Sequence, residues 1–126
     1  MTIRLILASI VFPILSGIAM PASSGEPQSI NIVADSFSFK PDTITVKAGQ
    51  PVTLNVKNEA TLLPHNLVIK APEAGVDVTI EVKAGKTASA TFTPTTPGTY
   101  EIYCGKKPPF GKSHKDRGMH GKLVIE

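Results

Sequence analysis

A chain of 126 residues has room for one domain, and its 13 lysines and arginines against 10 aspartates and glutamates leave a formal charge of +3. So small and mixed an excess, with no tryptophan and few aromatic residues, gives no support for a nucleic-acid surface of the electrostatic or base-stacking kind. The single cysteine, Cys104, excludes an internal disulfide.

Arg4 is the only charge before Glu26. Between them runs an apolar segment from Leu5 to Ala19, then Met20-Pro21-Ala22-Ser23-Ser24-Gly25. A positive start, an apolar middle and a small-residue end make a secretory signal, read here over residues 1–25, with cleavage after Ala19, Ala22 or Ser24. An uncleaved N-terminal anchor is the other reading, although the run falls short of the roughly 20 residues a membrane span needs. No second apolar run follows. Residues 26–126 are therefore expected to form an exported, periplasmic or equivalent, domain without a membrane span. No cysteine lies near the signal, which argues against a lipobox anchor. A domain of about 100 residues buries somewhat over 60% of its unfolded surface, enough for one core.

The exported part reads as short alternating strands between turn signals. Ser29 to Ala34 alternates, and Thr43 to Lys47 puts Ile44 and Val46 on one face before Ala48-Gly49-Gln50-Pro51 breaks it. Val52 to Val56 turns Val52, Leu54 and Val56 inward. Asn66 to Lys70 offers Leu67 and Ile69, and a one-turn helix fits Pro72 to Gly75. Val78 to Val82 offers Val78, Ile80 and Val82; Ala84-Gly85-Lys86 is a turn, and Thr87 to Phe92 follows. Thr99 to Tyr103 presents Tyr100 and Ile102 inward, with Cys104 next on that face. Gly121 to Glu126 closes the chain with Leu123 and Ile125 on one side. Period-two patterns at short intervals, bounded by Gly and Pro, predict an all-β Greek-key sandwich or barrel of about 7–8 strands.

The irregular stretch is Gly105 to Gly118, a loop long enough to expect a function of it. It holds Pro108, Pro109 and Gly111, and five cations: Lys106, Lys107, Lys112, Lys115 and Arg117. Cys104, His114 and Met119 gather around it, and His65 lies upstream at the start of another predicted strand. Cys104 alone could be a small buried hydrophobe, a reactive thiol or a metal ligand. Taken together, a thiolate, two imidazoles and a thioether form a soft donor set, poor for calcium or magnesium and good for copper or zinc. Two histidines and a cysteine with a distant axial methionine is the blue-copper arrangement. Gly118 permits the bend that would turn both His114 and Met119 inward. His120 is a rival for the place of His114, although alternation from Met119 points it outward.

Three blocks carry a resemblance. They are Leu63-Pro64-His65-Asn66-Leu67-Val68, Gly98-Thr99-Tyr100-Glu101-Ile102-Tyr103-Cys104, and His114 through Gly118-Met119-His120-Gly121-Lys122-Leu123. Together they resemble the cupredoxins, the blue copper proteins of the plastocyanin, amicyanin and pseudoazurin type, over roughly Ile30 to Glu126. The resemblance implies that His65, Cys104, His114 and Met119 bind one copper ion cycling between Cu(I) and Cu(II). It also implies that Asn66 ties the two ligand loops together, and that His114 is the exit for the electron. The expected function is one-electron transfer, with no catalysis by the chain itself. Expected partners are redox proteins such as a cytochrome or a dehydrogenase; the five cations either only solubilise the surface or meet an acidic face of such a partner, and a monomer is expected. The alternative is a periplasmic copper carrier, buffer or resistance protein; an enzyme with an open copper position is a weaker one. A binuclear centre is disfavoured, because a thiolate-bridged pair takes two cysteines. The departure from the family is spacing. Nine residues separate Cys104 from His114, where the family has two to four, so the inserted region must bulge outward for the ligands to meet.

Overall fold

Alternating apolar residues become the inner faces of strands throughout residues 28–126, which, with Pro13, are the residues that the computed structural model describes. Apart from Pro13, the proposed signal lies outside them. The strands are β1 (Gln28–Asp35), β2 (Ser38–Lys40), β3 (Thr43–Val46), β4 (Val52–Asn58), β5 (His65–Ala71), β6 (Val76–Val82), β7 (Thr87–Phe92), β8 (Gly98–Tyr103) and β9 (His120–Ile125). Two single 3-10 turns interrupt them, Pro72–Ala74 where the sequence predicts a helical turn, and Lys115–Arg117. Nine strands rather than seven or eight arise because β2 has only three residues, too few to show alternation. Its middle residue, Phe39, is nevertheless buried.

Four strands form one sheet in the order β2-β1-β4-β7, and five form the other in the order β3-β9-β8-β5-β6. The chain passes back and forth between the sheets, so β1 lies parallel to β4 and β3 parallel to β9, while the remaining pairs are antiparallel. The inward residues are those the alternation selects. Val52, Leu54 and Val56 on β4, Leu67 and Ile69 on β5, and Leu123 and Ile125 on β9 are all buried in one core. Each such side chain stabilises the fold by about 1.5–3 kcal/mol on burial. Among the described residues no helix is long and apolar enough to cross a membrane.

Register decides what meets at one end of the sandwich. Val68 of β5 sits opposite Tyr103 of β8, and Tyr103 opposite His120 of β9. The start of β5, the end of β8 and the start of β9 therefore converge there. Gly121 allows the close approach of β3 to β9, since a side chain on it would collide with the Asp42 carbonyl. That carbonyl accepts a hydrogen bond from the Lys122 N–H at 2.7 Å.

Candidate metal centre

His65 opens β5 and is fully buried. The preceding loop is held by Asn58, whose Nδ2 donates to the carbonyls of Leu63 (2.9 Å) and Val82 (3.0 Å) and whose Oδ1 accepts from Ala60 N–H (2.9 Å). Cys104 follows the last residue of β8 on its inward face and is also fully buried. Its N–H donates to the Met119 carbonyl at 3.0 Å. Met119 is buried just after Gly118, whose φ of 105° is the left-handed conformation that supplies the bend.

The long spacing between Cys104 and His114 is closed by one hydrogen bond. The His114 N–H donates to the Lys106 carbonyl at 2.9 Å. Only Gly105 and Lys106 then lie between the cysteine and this neck, and residues 107–113 are looped out of the path. A second bond, from Met119 N–H to the His114 carbonyl (3.1 Å), folds the other side of the loop back. The insertion thus bulges outward, as the ligand geometry requires, and leaves the short connection intact.

Three donor atoms face one another inside this frame. His65 Nδ1 and His114 Nδ1 are 3.2 Å apart, and Cys104 Sγ lies 3.9 Å from the first and 3.6 Å from the second. They form the one three-residue cluster of metal-binding type among the described residues. A triangle of sides 3.2, 3.6 and 3.9 Å has a point about 2.1 Å from all three corners, close to the bond lengths that imidazole nitrogen and thiolate sulfur make to a transition-metal ion. Without an ion this arrangement is poorly served, since only one proton can sit between two facing Nδ1 atoms. The donor set and its dimensions therefore fit a soft or borderline metal ion. The His65 ring is otherwise alone: its Nε2 is buried and has no hydrogen-bond partner.

Burial governs the protonation of all three. Desolvation, reinforced by His114, holds His65 below 6.5, and Asp35, chiefly through its charge, only partly offsets this. His114 is also lowered, first by burial and then by Arg117 and Lys106. Burial pushes the Cys104 thiol above 9.0, with the backbone N–H groups of Asn66 and Lys106 working against it. The imidazoles thus stay neutral and free to ligate at pH 7. A bound cation would reverse the thiol's preference, because a coordinating thiol loses its proton to the metal.

Asn66 joins the segments that carry His65 and Cys104. Its Oδ1 accepts from Gly105 N–H at 2.6 Å, its own N–H points at Cys104 Sγ at 3.5 Å, and its Nδ2 donates to Glu81 at 3.2 Å. Glu81 also takes Lys106 at 2.6 Å, and both partners hold its carboxyl below 4.5, Lys106 first. On the other side Phe37 stands edge-on to the His114 ring, with centroids 5.1 Å apart, and Arg117 lies over Phe37 at 4.9 Å. Phe37 occupies a left-handed position, φ 59°, between β1 and β2.

Sequence reasoning misses Phe37, Asn58 and Glu81. Glu81 is an outward residue of an alternating strand and looks like any solvated one. Phe37 sits in a turn that no pattern marks. Asn58, at the end of a strand, carried a usable signal, since asparagine there often bonds nearby backbone. His120 begins β9, is exposed, and lines a shallow groove with Asp42, Thr43, Glu101 and Lys122. It is His114 that the structure brings to Cys104 and His65. The five loop cations are not equivalent. Lys106 is paired with Glu81 and Lys115 with Glu101, each at 2.6 Å. Lys115 and Arg117 also cover the Tyr103 and Phe37 rings. Among the described residues Lys107 and Lys112 have no ion pair.

The profile of a family described as the cupredoxin-like domain matches residues 5–125. The chloroplastic plastocyanin of Hordeum vulgare is 32% identical over 128 aligned positions, covering 94% of this chain and 75% of that one. The plastocyanin of Dryopteris crassirhizoma is 33% identical over 103 positions, covering 72% and 90%. Among solved structures, the dithionite-reduced auracyanin of Roseiflexus castenholzii superposes with a TM-score of 0.66 at 25% identity, over 81% of this chain and 99% of that one. Auracyanin A of Chloroflexus aurantiacus, a "blue" copper protein, does so with 0.64 at 25% identity, over 80% and 100%.

Proposed function

We propose that this chain, which belongs to the cupredoxin-like family, is an exported one-electron carrier holding a single copper ion between His65, Cys104, His114 and Met119. The observation that carries the reading is the closed triangle of His65 Nδ1, His114 Nδ1 and Cys104 Sγ, buried and sized for one ion. Copper bound there supplies a Cu(I)/Cu(II) couple, for which thiolate and thioether suit the lower state and imidazole the higher. Similarity to plastocyanins and to a "blue" copper auracyanin supports copper over zinc.

The chain's own residues make the exchange fast by not moving. His65, Cys104 and Met119 are fully buried, so water is kept from the donors. The backbone bonds among Cys104, Met119, His114 and Lys106, with Asn66 bridging to Gly105, fix the donors before any ion arrives. A frame held this way has little to rearrange when charge changes. Of the three clustered donors, His114 alone lines a surface groove, beside Leu63, Pro64, Lys106, Lys107, Pro108 and Pro109. Its ring is the edge offered to a redox protein such as a cytochrome or dehydrogenase, and under this reading the chain catalyses no reaction of its own. Export rests on the signal pattern of residues 1–25, and the working domain is 26–126.

Voltammetry of the copper-loaded protein tests the proposal. A reversible one-electron wave, with copper retained against a competing chelator, is expected. A protein with no reversible wave that hands its copper to an apo acceptor would instead be a copper carrier.

A further inference from the structure

We propose that residues 107–113 are a docking element for an acidic redox protein, separable from the metal centre beside them. This rests on the electron-carrier reading and adds what the carrier recognises. The segment reads Lys107-Pro108-Pro109-Phe110-Gly111-Lys112-Ser113. It leaves the fold and returns at the Lys106–His114 hydrogen bond, so the metal-site connection is complete without it. Its largest side chain, Phe110, is 90% exposed and stabilises nothing inside the domain. Two consecutive prolines ahead of it fix their own φ angles, so the ring is presented with less ordering left to lose on binding.

The setting suits contact with a protein. Pro108 and Pro109 face Leu63 and Pro64 across a groove of about 290 Å³ whose lining includes His114. Leu62, next to Leu63, is 86% exposed. An apolar centre therefore brackets His114 where it lines the groove. The segment's own charge is one-sided. Lys106 and Lys115 are neutralised by Glu81 and Glu101, which leaves Lys107 and Lys112 as the outward charges of the segment. An apolar centre with a charged rim is the anatomy of a protein interface, and redox encounters need only a small one. The complementary surface is apolar at its middle and acidic at its margin.

The test uses copper-loaded, reduced protein in stopped flow. It gives one electron to the ferric haem of an acidic c-type cytochrome, to that of a basic one, or to ferricyanide, at several salt concentrations. The parent is expected to react at least about tenfold faster with the acidic cytochrome at low salt, the gap narrowing as salt screens it. Phe110→Ser should slow the acidic cytochrome about tenfold, the scale of one lost aromatic anchor, and leave ferricyanide unchanged. The pair Lys107→Glu and Lys112→Glu should abolish the preference. Replacing 107–113 by two glycines should do both while preserving the visible spectrum; if that variant does not fold, the point variants decide. A parent that does not distinguish the cytochromes, or point variants that match it, overturns the docking role. Ferricyanide separates the causes: if it still reacts, only the docking role fails, and if it does not, the electron-carrier reading fails too. Phe110-dependent binding to phosphatidylserine vesicles without a cytochrome preference assigns the loop to membranes and also overturns the proposal.

Discussion

Asn66→Ala removes the side chain that couples three parts of the site. The Gly105 N–H loses its 2.6 Å acceptor, and Glu81 loses a 3.2 Å donor. The first loss is the larger, because Asn66 is buried; Gly105 itself is exposed, so the loss lies at the lower end of the about 1–3 kcal/mol that an orphaned amide costs. The second is small, since the Glu81 side chain is 59% exposed and retains Lys106. The sum is about 2 kcal/mol, or a fall in Tm of roughly 8–16 °C for a domain near 100 residues. Urea unfolding of the metal-free protein measures it, with the slope unchanged and the midpoint lower. Asn66→Asp keeps the acceptor for Gly105 and sets a second carboxylate against Glu81, so Glu81→Gln should rescue it and should not rescue Asn66→Ala. A loss below about 0.5 kcal/mol for Asn66→Ala, a typical surface value, would refute the claim that this residue ties the ligand segments together.

Four further outcomes follow from the same geometry. Metal-free protein should lose stability as pH falls below 6.5, because burial holds His65 and His114 under that value and the unfolded chain takes up protons first. Stability is full above 6.5 and declines through the lowered folded values; urea midpoints flat from pH 7 to 4.5 would contradict this. The buried Cys104 thiol, raised above 9.0, predicts a second decline as pH rises past 9, absent in Cys104→Ala. Gly118→Ala forces a side chain into φ 105° and should cost about 1–2 kcal/mol, whereas Gly121→Ala, blocked by the Asp42 carbonyl, should cost more by the same thermal melt. Phe37→Ala should remove about 1 kcal/mol of edge-on ring contact and broaden the His114 ring resonances in the metal-free protein.

What the sequence made legible is what repeats or what clusters. Period-two alternation placed Val52, Leu54, Val56, Leu67, Ile69, Leu123 and Ile125 on inner faces, and all are buried. The donor set was legible because His65, Cys104, His114 and Met119 sit at strand ends or in the loop between two strands, in blocks with matching neighbours. The structure brings His65, Cys104 and His114 within bonding range of one point. The nine-residue gap was not legible, because its closure depends on a backbone bond from His114 to Lys106, and backbone groups carry no sequence signature. Nor was the sorting of the loop cations. Whether Lys106 meets solvent or Glu81 depends on β6 lying beside β5, a tertiary fact. Phe37 was invisible for the same reason: its contact with His114 joins a turn in one sheet to a loop of the other.

Spectra of the copper-loaded protein test the central claim most directly. The visible and electron paramagnetic resonance spectra of the parent should show an intense thiolate-to-copper band. That band should vanish in Cys104→Ser, change strongly in His65→Ala and His114→Ala, and stay as it is in His120→Ala. A band that survives Cys104→Ser, or one lost in His120→Ala and untouched in His114→Ala, would contradict the assignment of His65, Cys104 and His114 as the copper-binding cluster.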